Sequence, residues 1–128
     1  MHVARGQNVK PQPAVRDIFT GEVNTHTFAG DDVSERLRLN LVKFSPGART
    51  KWHRHTFEQG LIITEGQGIV ATEEREHVVE AGDIVIVYAE EKHWHGATET
   101  TAMAHIAINQ PGETEVLEAV DHIRTPAS

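Results

Sequence analysis

The chain is short, acidic and free of cysteine. Its 128 residues and 38% apolar content fit one compact domain with a single core. A net charge of −7 argues against a nucleic-acid partner, since phosphates would be repelled, and the absence of cysteine excludes disulfides and thiolate metal sites. The first residues have no apolar segment of the signal-peptide kind, and no apolar run approaches about 18 residues. We therefore expect a cytoplasmic protein with no membrane partner.

The N-terminal segment differs in pattern from the rest of the chain. Residues 1–15 are polar and include Pro11 and Pro13, which predicts an arm without regular helix. From Asp17 onward the pattern changes, and we divide the chain on that basis. The predicted units are an arm (1–16), a β-domain (17–120) and a C-terminal tail (121–128).

Short strands are predicted through the middle of the chain. Residues 36–44 alternate, with three leucines on one face, and a Ser-Pro-Gly turn ends the run. Further strands are predicted at 50–55, 60–64, 68–72, 77–80, 83–88, 93–97 and 103–109. Residues 113–120 fit either a last strand or a helical turn. Many short strands at intervals of about 8–12 residues predict an all-β sandwich or barrel.

Two histidines lie one residue apart on a predicted strand. Residues i and i+2 of a strand point to the same face, so His53 and His55 can both reach one metal ion. Taken alone, such a short pair is equally compatible with two surface histidines on an edge strand.

The residues around this pair extend the pattern. Gly47 stands six residues before His53, Gln59 stands four after His55, and Gly66 stands seven after Gln59. The segment resembles the first motif of the cupin superfamily at every anchor but one, because Gln59 replaces the usual Glu.

A second cupin motif is recognisable, in degraded form, at residues 82–96 (GDIVIVYAEEKHWHG). Together the two resemblances imply a jelly-roll barrel of two antiparallel sheets with one divalent metal in its mouth. The ligands that they imply are His53, His55, Gln59 and His93. Such a ligand set suits Mn²⁺, Fe²⁺, Ni²⁺ or Zn²⁺. His95 lies two residues beyond His93 on the same predicted face, so the choice between these two histidines stays open.

Gln59 has a chemical consequence if it binds the ion. Glutamine brings no charge, so the metal keeps more of its positive charge and polarises a bound oxygen more strongly. This favours Lewis-acid chemistry over redox chemistry. The alternative is a glutamine that fills the carboxylate's place in a protein that has lost its metal, which would leave three intact histidines unexplained.

Several stretches resemble a narrower group, the small bacterial cupins that act as manganese-dependent hydroxynitrile lyases. The shared blocks are PGARTKWHRH, LIITEGQG, EKHWHGA and TTAMAHIAI. The resemblance implies manganese as the metal and His105, in the last block, as the catalytic residue. Asn40 and Val42 match pocket positions of that group, and we assign His95 and Asn109 to the same substrate pocket.

Three functions follow as hypotheses, each with a small molecule as the partner. The first is cleavage and formation of cyanohydrins, in which the metal stabilises the alkoxide and His105 exchanges a proton with cyanide. The second is an oxygen-dependent enzyme, such as a quercetinase-like dioxygenase, that uses Fe or another divalent metal. The third is non-catalytic binding of a metal or small molecule.

Two apolar rows predict self-association. One row is Leu37, Leu39 and Leu41, and the other is Ala104, Ile106 and Ile108. Both rows would leave large apolar patches on a monomer. We therefore expect a homodimer or a homotetramer.

Overall fold

A computed structural model describes residues 1–125; residues 126–128, the end of the predicted tail, lie outside the described part. The described chain is almost entirely β-structure, which confirms the predicted class. Its elements are a 3₁₀ turn (Gly6–Asn8) and the strands β1 (Gln12–Pro13), β2 (Phe19–Thr20), β3 (Val23–Ala29), β4 (Arg38–Phe44), β5 (Arg49–Thr50), β6 (His53–His55), β7 (Gln59–Ala71), β8 (Glu76–Glu80), β9 (Ile84–Val87), β10 (Trp94–Ala97), β11 (Met103–Asn109) and β12 (Thr114–Val116). The division into arm, domain and tail stays a prediction.

The long strand β7 joins two halves of one curled antiparallel sheet. Its first half pairs with β11 and β9, and its second half pairs with β10 and β8. The strand order is β1-β3-β4-β11-β7-β10-β5-β2, while β12 and β6 form a separate ribbon. The largest core cluster takes side chains from both halves, among them Val42, Phe44, Leu61, Ile63, Val70, Val79 and Ala97. The curled sheet therefore wraps around a shared core.

Strand β7 differs from the sequence prediction of two strands at 60–64 and 68–72. Gly66 lies inside it with a φ of +72°. A Cβ at this position would overlap the carbonyl oxygen of Ala102. The glycine that looks like a turn residue in the sequence is therefore required within a continuous strand, at a point of close backbone approach.

The predicted strand at 50–55 is two short strands, β5 and β6, with different partners. Between them the N–H of Lys51 donates to the carbonyl of Ile18 (2.7 Å), and the N–H of Trp52 donates to that of Glu118 (2.9 Å). The chain therefore stops pairing with β2 and β10 at this point and begins to pair with β12. Residues 113–120 contain β12, which decides the open choice in favour of a strand.

Strand β3 is missing from the sequence prediction. Its side chains at Thr25 and Thr27 line a cavity instead of packing in the apolar core. The inward positions are therefore polar, and the usual apolar alternation of a half-buried strand is absent.

A continuous apolar surface covers the outside of the first half of the sheet. The register places Leu41, Ile106, Ile62 and Ile84 in one row across four strands, and Leu39, Ile108, Gly60 and Ile86 in the next. We call the seven apolar side chains in these rows the outer apolar face. The predicted rows were wrong in one member, because Ala104 is only 2% exposed, while Leu37 is 49% exposed but precedes β4. Across the described residues, no helix has the length and apolar character needed to cross a bilayer.

Candidate functional site

Three buried histidines meet at one end of the barrel. His53 and His55 lie on β6, and His93 lies just before β10, where it pairs with His53 through two backbone hydrogen bonds of 2.9 Å. The potential ligand atoms of the three side chains all lie within 4.8 Å of one another. This cluster contains His93 and not His95, although the assignment of the ligand stays a prediction.

Hydrogen bonds fix the orientation of each of these rings. Nδ1 of His53 donates to the carbonyl of Lys51 (2.8 Å), and Nδ1 of His93 donates to that of Glu91 (2.9 Å). A carbonyl oxygen only accepts, so Nδ1 carries the proton in both rings and Nε2 keeps its lone pair. His55 is held in the same way by the Thr114 hydroxyl at 2.7 Å. Such contacts behind the ligands orient the rings for metal binding.

Gln59 completes the donor set and is itself oriented. Its Nε2 donates to Oδ1 of Asn109 at 2.9 Å, which leaves Oε1 buried without a hydrogen-bond partner among the described residues. The Nε2 atoms of His55 and His93 are unpartnered in the same sense. Buried polar atoms without partners are rare in folded proteins and call for an explanation. A divalent ion that takes these lone pairs supplies one, so the residues fit a metal.

Burial keeps the three histidines neutral. Desolvation, followed by the neighbouring histidines, lowers the pKa of His53 to about 3 and that of His55 to about 4. The pKa of His93 is also lowered, chiefly by burial. Neutral imidazole is the form that binds metal, so the cluster is ready for a cation without having to lose protons at neutral pH.

A second pair of histidines lies beside the cluster. Nε2 of His105 and Nδ1 of His95 are hydrogen-bonded at 3.0 Å, which leaves Nδ1 of His105 and Nε2 of His95 without partners among the described residues. Burial lowers the pKa of His105 to about 4 and that of His95 well below its usual value. The ring of Phe44 packs against both imidazoles, with centroids 5.4 and 6.0 Å away.

These groups border one cavity of about 340 Å³. All four predicted pocket residues line it, namely Asn40, Val42, His95 and Asn109, together with His105 and the predicted ligands His53, His55 and Gln59. Sequence reasoning missed Thr25, Thr27 and Thr114, and also the arm, whose residues 13–16 form part of the wall. Two β-branched threonines at alternate positions of residues 23–29 were a usable signal for β3, whereas the arm carries no pattern that places it here.

Residues 40–109 match the cupin domain family, which covers more than half of the chain. The chain belongs to the cupin family. The matched region contains both histidine pairs and Gln59, and it begins and ends at the two pocket residues Asn40 and Asn109. The predicted cupin barrel is thereby confirmed.

Similarity to individual cupins extends over most of the chain. It is 42% identical over 112 residues to an (R)-mandelonitrile lyase from Granulicella tundricola, covering 84% of this chain and 82% of that protein. It is 30% identical to a dimethylsulfoniopropionate lyase from Ruegeria pomeroyi, covering 72% of this chain and 61% of that one. A crystal structure of a cupin-like protein from Thermotoga maritima superposes with a TM-score of 0.79 at 32% identity, covering 84% of both chains.

Proposed function

We propose that this cupin is a manganese-dependent carbon–carbon lyase that cleaves cyanohydrins into an aldehyde and hydrogen cyanide. The observation that carries the proposal is a neutral set of metal donors beside a buried histidine pair on one small cavity. The 42% identity to a mandelonitrile lyase supports the choice of reaction.

The metal would be held by His53, His55, His93 and Gln59. When bound, a divalent ion supplies Lewis-acid polarisation of a substrate oxygen. Because all four donors are uncharged, the chain does not offset the positive charge at that place.

The histidine pair handles the proton in this proposal. Cleavage converts R–CH(OH)–CN to R–CHO and HCN, so the hydroxyl proton must leave oxygen and a proton must reach the cyanide carbon. His105 takes up the first and delivers the second, with His95 as its hydrogen-bonded partner. Both rings are neutral at pH 7 since burial lowers the pKa of each, so a base is available without prior deprotonation.

Release of benzaldehyde from mandelonitrile tests the reaction. Protein loaded with Mn²⁺ is expected to cleave mandelonitrile above the buffer background. The double variant His53→Ala/His55→Ala should lose both this rate and the bound metal measured by elemental analysis. His77→Ala serves as the control, because His77 is exposed on β8.

The absence of any metal-dependent rate over a series of cyanohydrins would contradict the lyase proposal. Oxygen consumption by the same preparation with a flavonol would instead favour the dioxygenase. Metal binding without turnover of either substrate would favour a binding protein.

We also propose a homodimer in which the outer apolar face covers the same face of a second copy. An isologous contact needs a self-complementary surface, and an uncharged apolar sheet face meets that need. Light scattering is expected to give twice the chain mass of 14.2 kDa. Ile84→Lys should yield monomers, since Ile84 is 67% exposed, whereas Val78→Lys, on β8 outside this face, should not. A monomer mass for the unaltered chain would contradict the dimer.

A further inference from the structure

The cavity wall away from the histidine pair presents unused polar groups. Register places Thr27, Asn40 and Ala107 side by side across β3, β4 and β11. The side chains of Thr27 and Asn40 both line the cavity. Neither makes a hydrogen bond to any residue that the structure describes. One hydroxyl and one amide are therefore free to bind a polar group of a substrate.

Arg16 adds a positive charge to the lining of the same cavity. Its side chain is exposed, lines the same cavity, and has no hydrogen bond or ion pair within residues 1–125. It lies near enough to His55 for its charge to contribute to the lowered pKa of that ring. The whole chain has a net charge of −7, whereas this arginine brings an unpaired positive charge to the cavity.

Acidic side chains are absent from the described lining of the cavity. Arg16 is the sole arginine, lysine, aspartate or glutamate among these lining residues. A bound metal with neutral ligands would add further positive charge. The potential within the cavity therefore favours an anionic group over a neutral one of the same shape.

We propose that the substrate carries a carboxylate, which Arg16, Asn40 and Thr27 bind at the arm side of the cavity. A guanidinium, an amide N–H and a hydroxyl all donate to carboxylate oxygens, and charge-assisted bonds of this kind are stronger than neutral ones. This inference rests on the proposed function only for the reacting group, which would be a cyanohydrin.

The strand register sets the distance between the two ends of such a substrate. Val42 is the partner of His105, and Asn40 lies two residues further along β4. Two residues of a strand span about 6.6 Å. A para-disubstituted benzene ring spans this separation, with the reacting carbon beside His105 and the carboxylate beside Asn40.

Two matched aldehydes test the proposal. 4-Formylbenzoate and 4-formylbenzamide have the same shape, and only the first carries a charge. Calorimetric titration of the manganese-loaded protein is expected to show about fivefold tighter binding of the benzoate at low salt, a preference that weakens at high salt. The KM values of the two corresponding cyanohydrins should differ in the same direction.

Charge variants distinguish three causes of a preference for the benzoate: binding to the cavity wall, binding to the metal, and the net charge of the protein. Arg16→Gln should bring the two affinities close to parity, and Arg16→Glu should reverse their order. Arg75→Gln removes the same charge from an exposed turn outside the cavity and should keep the preference. Asn40→Ala should reduce the affinity for both aldehydes, because an amide also accepts its hydrogen bond.

Equal binding of the two aldehydes by the unaltered protein would overturn the proposal. A preference that survives Arg16→Gln would also overturn it, since the carboxylate would then be binding the metal. If the preference depends on Arg16 but no cyanohydrin is cleaved, the carboxylate site stands and the lyase proposal fails. The two failures are thus distinguishable.

Discussion

The two ends of the cavity are built in opposite ways. At the inner end, His53 and His105 are at most 1% exposed, and the ring of His53 is held by a backbone carbonyl. At the arm side, Arg16 is exposed and its side chain has no partner among the described residues. This difference indicates that the buried histidines of the inner end suit a reaction that needs side chains held in fixed positions. The arm side can change residues without disturbing the donors, so the proposed function assigns substrate preference to this side.

Substitution at the inner end should have the largest effect. His105→Gln is expected to lower kcat for cyanohydrin cleavage by about 10²- to 10⁴-fold, the usual contribution of a positioned acid–base group. Bound manganese should stay the same by elemental analysis, because His105 lies outside the three-histidine cluster. Asn40→Ala, at the outer wall, provides the contrast and should act mainly on KM. An unchanged kcat in His105→Gln would remove this residue from the mechanism.

Lowering the pH should destabilise the metal-free protein, because His105 at the inner end of the cavity binds a proton more readily in the unfolded chain. Burial lowers the pKa of His105 to about 4, whereas in the unfolded chain the ring has its ordinary pKa of 6.5. Between these values the unfolded state binds more protons, so stability is complete above about pH 6.5 and falls as the pH drops towards 4. The contribution of His105 is on the order of 3 kcal/mol.

Urea unfolding of metal-free protein at several pH values measures this contribution. The unaltered chain should lose more stability between pH 6.5 and 4 than His105→Gln does, and the difference isolates this ring from the other histidines. Parallel curves for the two proteins would show that His105 is not buried as a neutral group.

A smaller effect, on manganese affinity, is expected from substitution of Asn109, which orients the predicted ligand Gln59. Asn109→Leu removes the acceptor that holds Nε2 of Gln59, so the amide is free to rotate its oxygen away. Manganese affinity should fall about 10- to 100-fold, as for other groups that orient ligands. Asn109→Asp keeps an acceptor and should bind the metal at least as well. If Asn109→Leu binds manganese like the unaltered protein, the hydrogen bond does not orient Gln59.

The same contact predicts that the effects of substitutions at positions 59 and 109 depend on each other. In Gln59→Glu the carboxylate has no hydrogen to offer, but Asn109 can rotate and donate from Nδ2. In Gln59→Glu/Asn109→Asp two carboxylates would meet. Metal affinity in the double variant should therefore be lower than the two single changes predict, as a competition titration with a chelator would show.

Resemblance to a known motif was sufficient to predict part of the site. The spacing from Gly47 to Gly66 matches the first cupin motif, which implies His53, His55 and Gln59 as ligands, and the structure brings these three side chains to one cavity. The all-β class followed from the density of short alternating segments. These features depend on local sequence, so they were visible without a structure.

Features that depend on the curvature of the sheet could not be predicted from the sequence. The contact between His95 and His105 arises because β10 and β11 both pair with β7, at different halves of that strand. Alternation with His93 and His95 would place Trp94 on the opposite, outward face, yet it is 1% exposed because the C-terminal segment covers it through Val120. Neither arrangement follows from the period of a single strand.

The arm contributes to the cavity as one contiguous peptide. Residues 13–16, 18 and 19 line it, while the metal donors and the histidine pair all lie between residues 53 and 105. One short stretch that contains none of the metal donors or the histidine pair therefore encodes part of the cavity wall, including Arg16, while Thr27 and Asn40 lie outside it. A library confined to the first twenty codons, or an exchange of that stretch between related lyases, offers a route to new substrate ranges that leaves the reacting centre untouched.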